Sequence, residues 1–519
     1  MNPSRRTFIK QAGTVSLLLT VPPFWSQASV MTSSLPRKSP ESQGVSSKGI
    51  RDFLAAIKES GLEWHSFMLL RHGNVVAEGW WKPFDANYKH TLYSLSKSFT
   101  STAIGFLVKE GKITVEDKVI SFFPGDTPAS PSENLKAMKI KHLLTMNTGH
   151  DVDTMPKLRE MSNQSWVKTF LDQPVLHEPS THFLYNTGAT YMLGAIVHKV
   201  TGQNLDKYLA PRLFEPLGIE GYDWETSPQG LNTAGFGLRV KTEDIAKFGQ
   251  FYLQKGKWNG KQLLPESWIE EATKKQTTSN KGDSDWSQGY GYQFWRCKPG
   301  FYRGDGAFGQ FCMVMPEQDA ILVMTSESWD LQKTMNVAYQ TLLPAMSNPA
   351  LPENSTDLSA LSNDIKSLSL TTPKGSITSP LASNYMNKAF QIEANPYGIR
   401  EMNFYFDKDY CILTLTSAVG VDKLRFGWQS WLINEGATRN LFPVPNRTHM
   451  PSKIAGTATW TNDNTLQLNE KFVEAIHGDK LNCVFDGNKV TISFLNSVSE
   501  NTKTSPEKRE SLVGVVKKV

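Results

Sequence analysis

Between Ser347 and Pro380 the chain changes character, and this break constrains its architecture more than any other feature. The stretch is rich in Ser, Thr, Pro and Asn, which suits a linker. Before it, β-like runs stand at both ends of a mainly helical middle. Ser66–Arg71 and Val75–Trp81 read as a hairpin across His72-Gly73-Asn74, and Gln310–Met315 and Ala320–Thr325 return much later, with a further run at Gly291–Cys297. Between them, from Ser94 to about Lys247, apolar residues recur at helical spacing. Helices are also expected over Ile50–Ser60 and Asp330–Met346. Strands flanking a helical middle imply one α/β domain whose antiparallel sheet is completed by distant parts of the chain. Beyond Pro380 only short alternating runs remain (Met402–Phe406, Ile412–Thr416, Lys423–Trp428, Asn482–Phe485, Val490–Phe494), which predicts an all-β domain. The expected organisation is residues 36–346 as a first domain, 347–380 as a linker and 381–519 as a C-terminal β domain.

The N-terminus reads as a removable signal over residues 1–28. Ser4-Arg5-Arg6-Thr7-Phe8-Ile9-Lys10 precedes an apolar stretch, Ala12–Val21, and a small-x-small ending at Ser26-Gln27-Ala28. The apolar run is about half of the ~20 residues a membrane span needs. Paired arginines point to the twin-arginine route, hence to a bacterial protein placed in the periplasm or otherwise exported. No later segment approaches 18 unbroken apolar residues, so no stable span is expected after signal removal. The net charge of +5 is small for 519 residues and no run of five like charges occurs, which argues against nucleic-acid binding. Four cysteines allow three pairings; Cys297–Cys312 and Cys411–Cys483 are possible ones. No CxxC or His-rich spacing suggests zinc. His150-Asp151-Val152-Asp153 could be a fragment of a metal site, but it lacks a second histidine cluster at ligand spacing, so neither metal nor cofactor is expected.

The chemistry is expected at Ser94-Leu95-Ser96-Lys97. Leu95, Phe99, Ala103 and Phe106 set a helix from near Ser94 to near Gly111, so Ser94 and Lys97 share a face one turn apart. A buried amine there can lose its proton more readily and take the serine's. The helix N-terminus adds N–H groups where an oxyanion would form. The same spacing recurs at Ser165–Lys168 and Ser505–Lys508, so context must decide.

That context resembles the serine β-lactamase and penicillin-binding-protein family, in its class C branch, which also holds D-alanyl-D-alanine carboxypeptidases, β-lactamase-like esterases and 6-aminohexanoate-oligomer hydrolases. The residues that carry the resemblance are Thr91–Ser101, Ile140–His150 and Val240–Gly249, in that order. It covers roughly Pro40–Met346 and not the C-terminal region. It implies a β-lactamase-like sheet flanked by helices, no cofactor, and Ser94 as nucleophile. Phe183-Leu184-Tyr185-Asn186-Thr187-Gly188 is similar to the family's Tyr-x-Asn segment, implying Tyr185 as a proton relay, as phenolate or hydroxyl, coupled to Ser94 and Lys97. Thr187 stands at the substrate-binding asparagine position and cannot present an amide. Gly304-Asp305-Gly306-Ala307 matches the third motif. Gly304 replaces the cation there, Asp305 the hydroxyl residue, and Gly306 keeps the motif glycine, all three at substrate-binding positions. The backbone N–H of Ala307 would join that of Ser94 as oxyanion donors. Loss of the motif cation favours a neutral ester or amide, a small or peptide-like acyl substrate, over the carboxylate-bearing substrates of a carboxypeptidase or β-lactamase. A non-catalytic binding or sensor protein of the same fold is the remaining alternative.

Overall fold

The computed structural model describes residues 34–434, 442 and 452–517. The expected signal, residues 1–28, lies outside them. The first helix, α1 (Ser47–Ser60), starts where the Ser46 side chain accepts from Gly49 N and stops at Gly61 in the left-handed region; it buries Ile50, Phe53, Leu54 and Ile57. The predicted hairpin follows as β1 (Trp64–Arg71) and β2 (Asn74–Trp80). Its two loop residues, His72 and Gly73, both have positive φ, the geometry that matches strand twist. The helical middle includes α2 (Ser96–Lys109), α3 (Thr187–Thr201) and α4 (Thr242–Leu253). The chain then returns through β3 (Trp295–Arg296), β4 (Tyr302–Gly306), β5 (Gln310–Met315) and β6 (Ala320–Ser326), ending in α5 (Leu331–Thr341).

These strands form one antiparallel sheet in the order β2-β1-β6-β5-β4-β3, with Leu69 opposite Leu322 across the central pair. Met68 and Leu70 of β1 join the core shared with the helical middle, whereas Phe67 and Leu69 join the core under α1 and α5. Both faces are covered, which is why β1, β5 and β6 read as nearly continuous apolar runs. The run expected over Gly291–Cys297 shortens to β3. Gln293 takes a left-handed conformation (φ 65°) and its amide is spent on the Leu143 and Leu144 carbonyls, so the segment turns before it can pair.

The stretch 347–380, expected to be a linker, carries a helix, α6 (Ser355–Lys366). Leu361 is its one buried position, so its polar composition conceals it. Arg51 of α1 pairs with Asp357 and Asp364 of α6. Further on, Lys82 N donates to the Leu368 carbonyl and its own carbonyl accepts from Leu370 N, and Ser376 pairs with Trp460. The segment is therefore tied to the sheet domain at one end and to the C-terminal strands at the other.

Those strands are β7 (Phe390–Ile392), β8 (Ile399–Phe406), β9 (Tyr410–Ser417), β10 (Gly420–Trp428), β11 (Leu432–Asn434), β12 (Ile454–Asn462), β13 (Thr465–Phe472), β14 (Gly478–Asp486), β15 (Lys489–Asn496) and β16 (Leu512–Val516). They pair in the order β10-β9-β8-β7-β16-β15-β14-β13-β12-β11, and a parallel pairing of β10 with β12 closes the sheet into a barrel. Alternate residues fill its interior, among them Phe404, Leu413, Phe426, Trp460, Leu468 and Phe485. All four cysteines are buried and free, so neither of the possible disulfides is formed. Among the described residues no helix is long and apolar enough to cross a membrane.

The barrel meets the first domain through buried charge. Lys471, at the end of β13, pairs with Glu327 just past β6 (2.6 Å) and with Glu63 just ahead of β1. Burial alone would raise the Glu327 pKa, but Lys471 and a bond to His477 outweigh it and hold the carboxyl below the usual range. Removing the lysine would strand a carboxylate in the interface. Lys471→Met is therefore expected to cost about 3–5 kcal/mol, read as a lowered midpoint in chemical denaturation. Arg51→Ala, which breaks only half-exposed pairs, should leave that midpoint close to wild type.

Candidate active site

Tyr93–Leu95 form a 3-10 turn that runs directly into α2. Tyr93 has φ 46°, so regular helix begins two residues later than expected, at Ser96. Ser94 stands on this turn and Lys97 in the first helical turn, on the same side. Lys97 Nζ lies 3.0 Å from Ser94 Oγ, 2.9 Å from the Gly235 carbonyl oxygen and 3.4 Å from Thr187 Oγ1. The lysine is 1% exposed. Burial pulls its pKa down to about 7, with the Asp153 and Asp305 carboxylates opposing the shift. An amine that is neutral in a large fraction near pH 7, at this distance from a hydroxyl, can take the hydroxyl proton while its own N–H groups donate to Gly235 and Thr187.

Tyr185 stands beside the same hydroxyl, near enough that Ser94 acts on the acidity of its phenol. Its ring stacks on Trp295 (5.6 Å, 21°), and Lys97 Nζ lies 4.9 Å from the ring centroid. Burial pushes the phenol pKa up and the neighbouring Ser94 offsets only part of that, so of the two forms expected for Tyr185 burial favours the hydroxyl over the phenolate. Thr187 is the first residue of α3. Its N–H donates to Asp153 Oδ1 (2.8 Å) and its hydroxyl faces Lys97, so it is a partner of the amine.

Strand β4 closes the other side. Gly304 and Gly306 face the nucleophile turn so closely that a Cβ on Gly304 would lie 2.1 Å from Leu95 Cδ1, and one on Gly306 2.1 Å from the Leu92 carbonyl oxygen. The two glycines are there for close approach. Asp305 points away from them and accepts from Arg303 Nε (3.0 Å) in a buried pair. Arg303 offsets the Asp305 charge, so any repulsion of an anionic substrate by this carboxylate is muted. After β4, Ala307 begins a tight turn whose oxygens are held by Gln310 Nε2 on Ala307 O (3.0 Å) and Ser326 Oγ on Phe308 O (2.7 Å).

Ser94, Lys97, Tyr185, Thr187 and β4 thus come together, while the two competing tetrads do not join them. Ser165 caps a short helix by accepting from Lys168 N, and Ser505–Lys508 lies in irregular chain near Asn496. Gly235 and Asp153 escaped the sequence reading. Gly235 had a signal, the turn-rich Asn232-Thr233-Ala234-Gly235-Phe236-Gly237, whereas the role of Asp153 in holding Thr187 had none. The fold also supplies what the His150–Asp153 motif lacked. His177 and His182 come to Asp151, with donor atoms within 4.8 Å of one another. A His177–Asp151 hydrogen bond (2.6 Å) and stacking of the two imidazoles account for this half-exposed cluster.

A family model described as Beta-lactamase matches residues 52–344. The chain is 25% identical over 285 residues to the 6-aminohexanoate-dimer hydrolase of Paenarthrobacter ureafaciens, a match covering 51% of this chain and 72% of that protein. It is 26% identical over 142 residues to a "Putative D-alanyl-D-alanine carboxypeptidase" of Escherichia coli strain K12, covering 25% of this chain and only 33% of that protein. Among solved structures, a "Putative 6-aminohexanoate-dimer hydrolase from Bacillus anthracis" superposes with a TM-score of 0.50 at 20% identity, over 59% of this chain and 85% of that one, a likeness of fold. The family model spans more than half of the 519 residues and contains Ser94, Lys97, Tyr185 and β4; the chain belongs to the beta-lactamase family of serine hydrolases.

Proposed function

We propose that this chain hydrolyses a neutral ester or amide through an acyl-enzyme on Ser94. The observation that carries this reading is the 3.0 Å separation between Ser94 Oγ and an amine whose pKa burial has lowered to about 7. Neutral Lys97 takes the serine proton as Oγ attacks the acyl carbon. The N–H groups of Ser94 and Ala307 stabilise the oxyanion. The protonated Lys97 then returns a proton to the leaving group, with the Tyr185 hydroxyl in the same hydrogen-bonded path. Water repeats the sequence in reverse on the acyl-enzyme.

The preference for a neutral substrate follows from β4. The cation on that strand, Arg303, is fully buried and engaged with Asp305, and Gly304 offers no side chain where a substrate carboxylate would need a partner. Similarity to a 6-aminohexanoate-dimer hydrolase is in keeping with an amide-type bond. Residues 1–28 fit an export signal, which would put the activity in the periplasm or beyond.

Three outcomes test the reading. Ser94→Ala should abolish labelling by a fluorophosphonate and lower turnover by about a thousandfold or more; labelling that survives would move the nucleophile elsewhere. Because the reaction needs neutral Lys97, log kcat/KM should rise with unit slope on the acid side and level off above about pH 7. A flat profile from pH 5 to 9 would remove Lys97 as base. Short-chain p-nitrophenyl esters should be turned over and a chromogenic cephalosporin left intact; the reverse would favour a β-lactamase or carboxypeptidase.

A further inference from the structure

We propose that the C-terminal barrel takes part in catalysis: His477, on the hairpin between β13 and β14, is a positioning residue that sets the two backbone turns supplying the oxyanion donors. This rests on the reading of Ser94 as nucleophile and Ala307 as second donor.

Two residues flank those donors, and both hold disfavoured backbone. Tyr93 precedes Ser94 with φ 46°, and Phe308 follows Ala307 with φ 64°. Bulky residues adopt this region only when their surroundings impose it. Here the surroundings include one another, Trp329 against Phe308 (4.9 Å, 73°), and one residue of the barrel. The Tyr93 and Phe308 rings meet edge to face (5.3 Å, 63°), and the His477 imidazole packs at 90° to Phe308 (4.7 Å) and against Tyr93 (6.2 Å, 70°). Tyr93 Oη lies 2.9 Å from His477 Nε2, and His477 Nδ1 lies 2.7 Å from Glu327 Oε1.

The direction of these bonds follows from their partners. The Glu327 carboxylate can only accept, so Nδ1 carries a proton toward it, and in the neutral ring Nε2 accepts from the Tyr93 hydroxyl. Burial raises the Tyr93 pKa, with Glu327 adding to the effect, so the phenol stays a donor and is not a base. Glu327 is anchored in turn by Lys471, also from the barrel. Glu327 directly follows Ser326, whose Oγ holds the Phe308 carbonyl. A hydroxyl, an imidazole and a carboxylate thus form a chain of bonds from the interface to the peptide preceding Ser94. Without the imidazole, Tyr93 loses this acceptor and Phe308 one of its edge contacts, the one from the barrel. Both turns are then free to relax toward commoner backbone, and either relaxation rotates a donor N–H away from the oxyanion.

The full chain tests this with Tyr93→Phe, which deletes one hydroxyl, His477→Leu, their double variant, and His477→Gln, whose amide can still accept from Tyr93. Tyr93→Phe and His477→Leu are each expected to lower kcat and the rate of fluorophosphonate labelling by about tenfold or more, with KM within about twofold of wild type. The double variant should be no slower than His477→Leu alone, and His477→Gln should recover most of the rate. Thermal melts establish that each variant is folded. A folded Tyr93→Phe or His477→Leu that labels as fast as wild type overturns the proposal, as do losses that multiply in the double variant or a change confined to KM. If His477→Leu does not fold, Tyr93→Phe and His477→Gln decide by the same criteria. A wild-type protein that fails to label would instead overturn the nucleophile assignment underneath, which separates the two failures.

Discussion

The site depends on one buried amine. Lys97 sits almost without solvent, surrounded by a hydroxyl, a carbonyl and a threonine oxygen, and among the described residues no carboxylate pairs with it directly. An ammonium in such a place loses hydration that three neutral oxygens restore only in part, so the neutral form gains and the pKa falls to about 7. Had Asp153 or Asp305 paired with Nζ directly, the charge would have been fixed and the amine useless as a base. Instead Asp153 is committed to the Thr187 N–H and Asp305 to Arg303. The commitments of these two carboxylates are as much a part of the chemistry as the lysine.

Around that amine the architecture divides its tasks. Helix α2, which bears Lys97 and follows the Ser94 turn, packs against α3 and the sheet, and β4 approaches that turn through two glycines. A side chain at Gly306 would meet the Leu92 carbonyl and push strand and turn apart, spreading the two N–H groups proposed to share an oxyanion, and one at Gly304 would displace the Leu95 side chain. The barrel is joined to this assembly by charge and hydrogen bonds as well as by apolar packing. Lys471, Glu327 and His477, with Glu63 at the rim, make a largely buried polar interface with defined geometry, and such interfaces specify one orientation where a purely greasy one would tolerate several.

Much of this was legible in the chain. The hairpin at β1 and β2, helix α2, strands β5 and β6 and the late all-β region follow from periodicity and turn residues, because those signals are local. The serine–lysine pair was legible for the same reason, since three residues of helix bring the two side chains together by geometry alone. Helix α6 was hidden because it buries only Leu361, and the shortened strand at Trp295–Arg296 because the Gln293 amide is claimed by carbonyls about 150 residues away.

The sequence by itself determined which residues could do the chemistry: a hydroxyl and an amine at helical spacing, a tyrosine in a matching segment, a glycine strand without its usual cation. Only the tertiary structure decided their states. The pKa of Lys97, the protonated phenol of Tyr185, the neutralisation of Asp305 by Arg303 and the arrival of His477 beside Tyr93 all depend on desolvation and on contacts between groups distant in the chain or packed from different elements. A linear pattern names the groups, but the dielectric around them and the partners that claim their lone pairs exist only once the chain has packed.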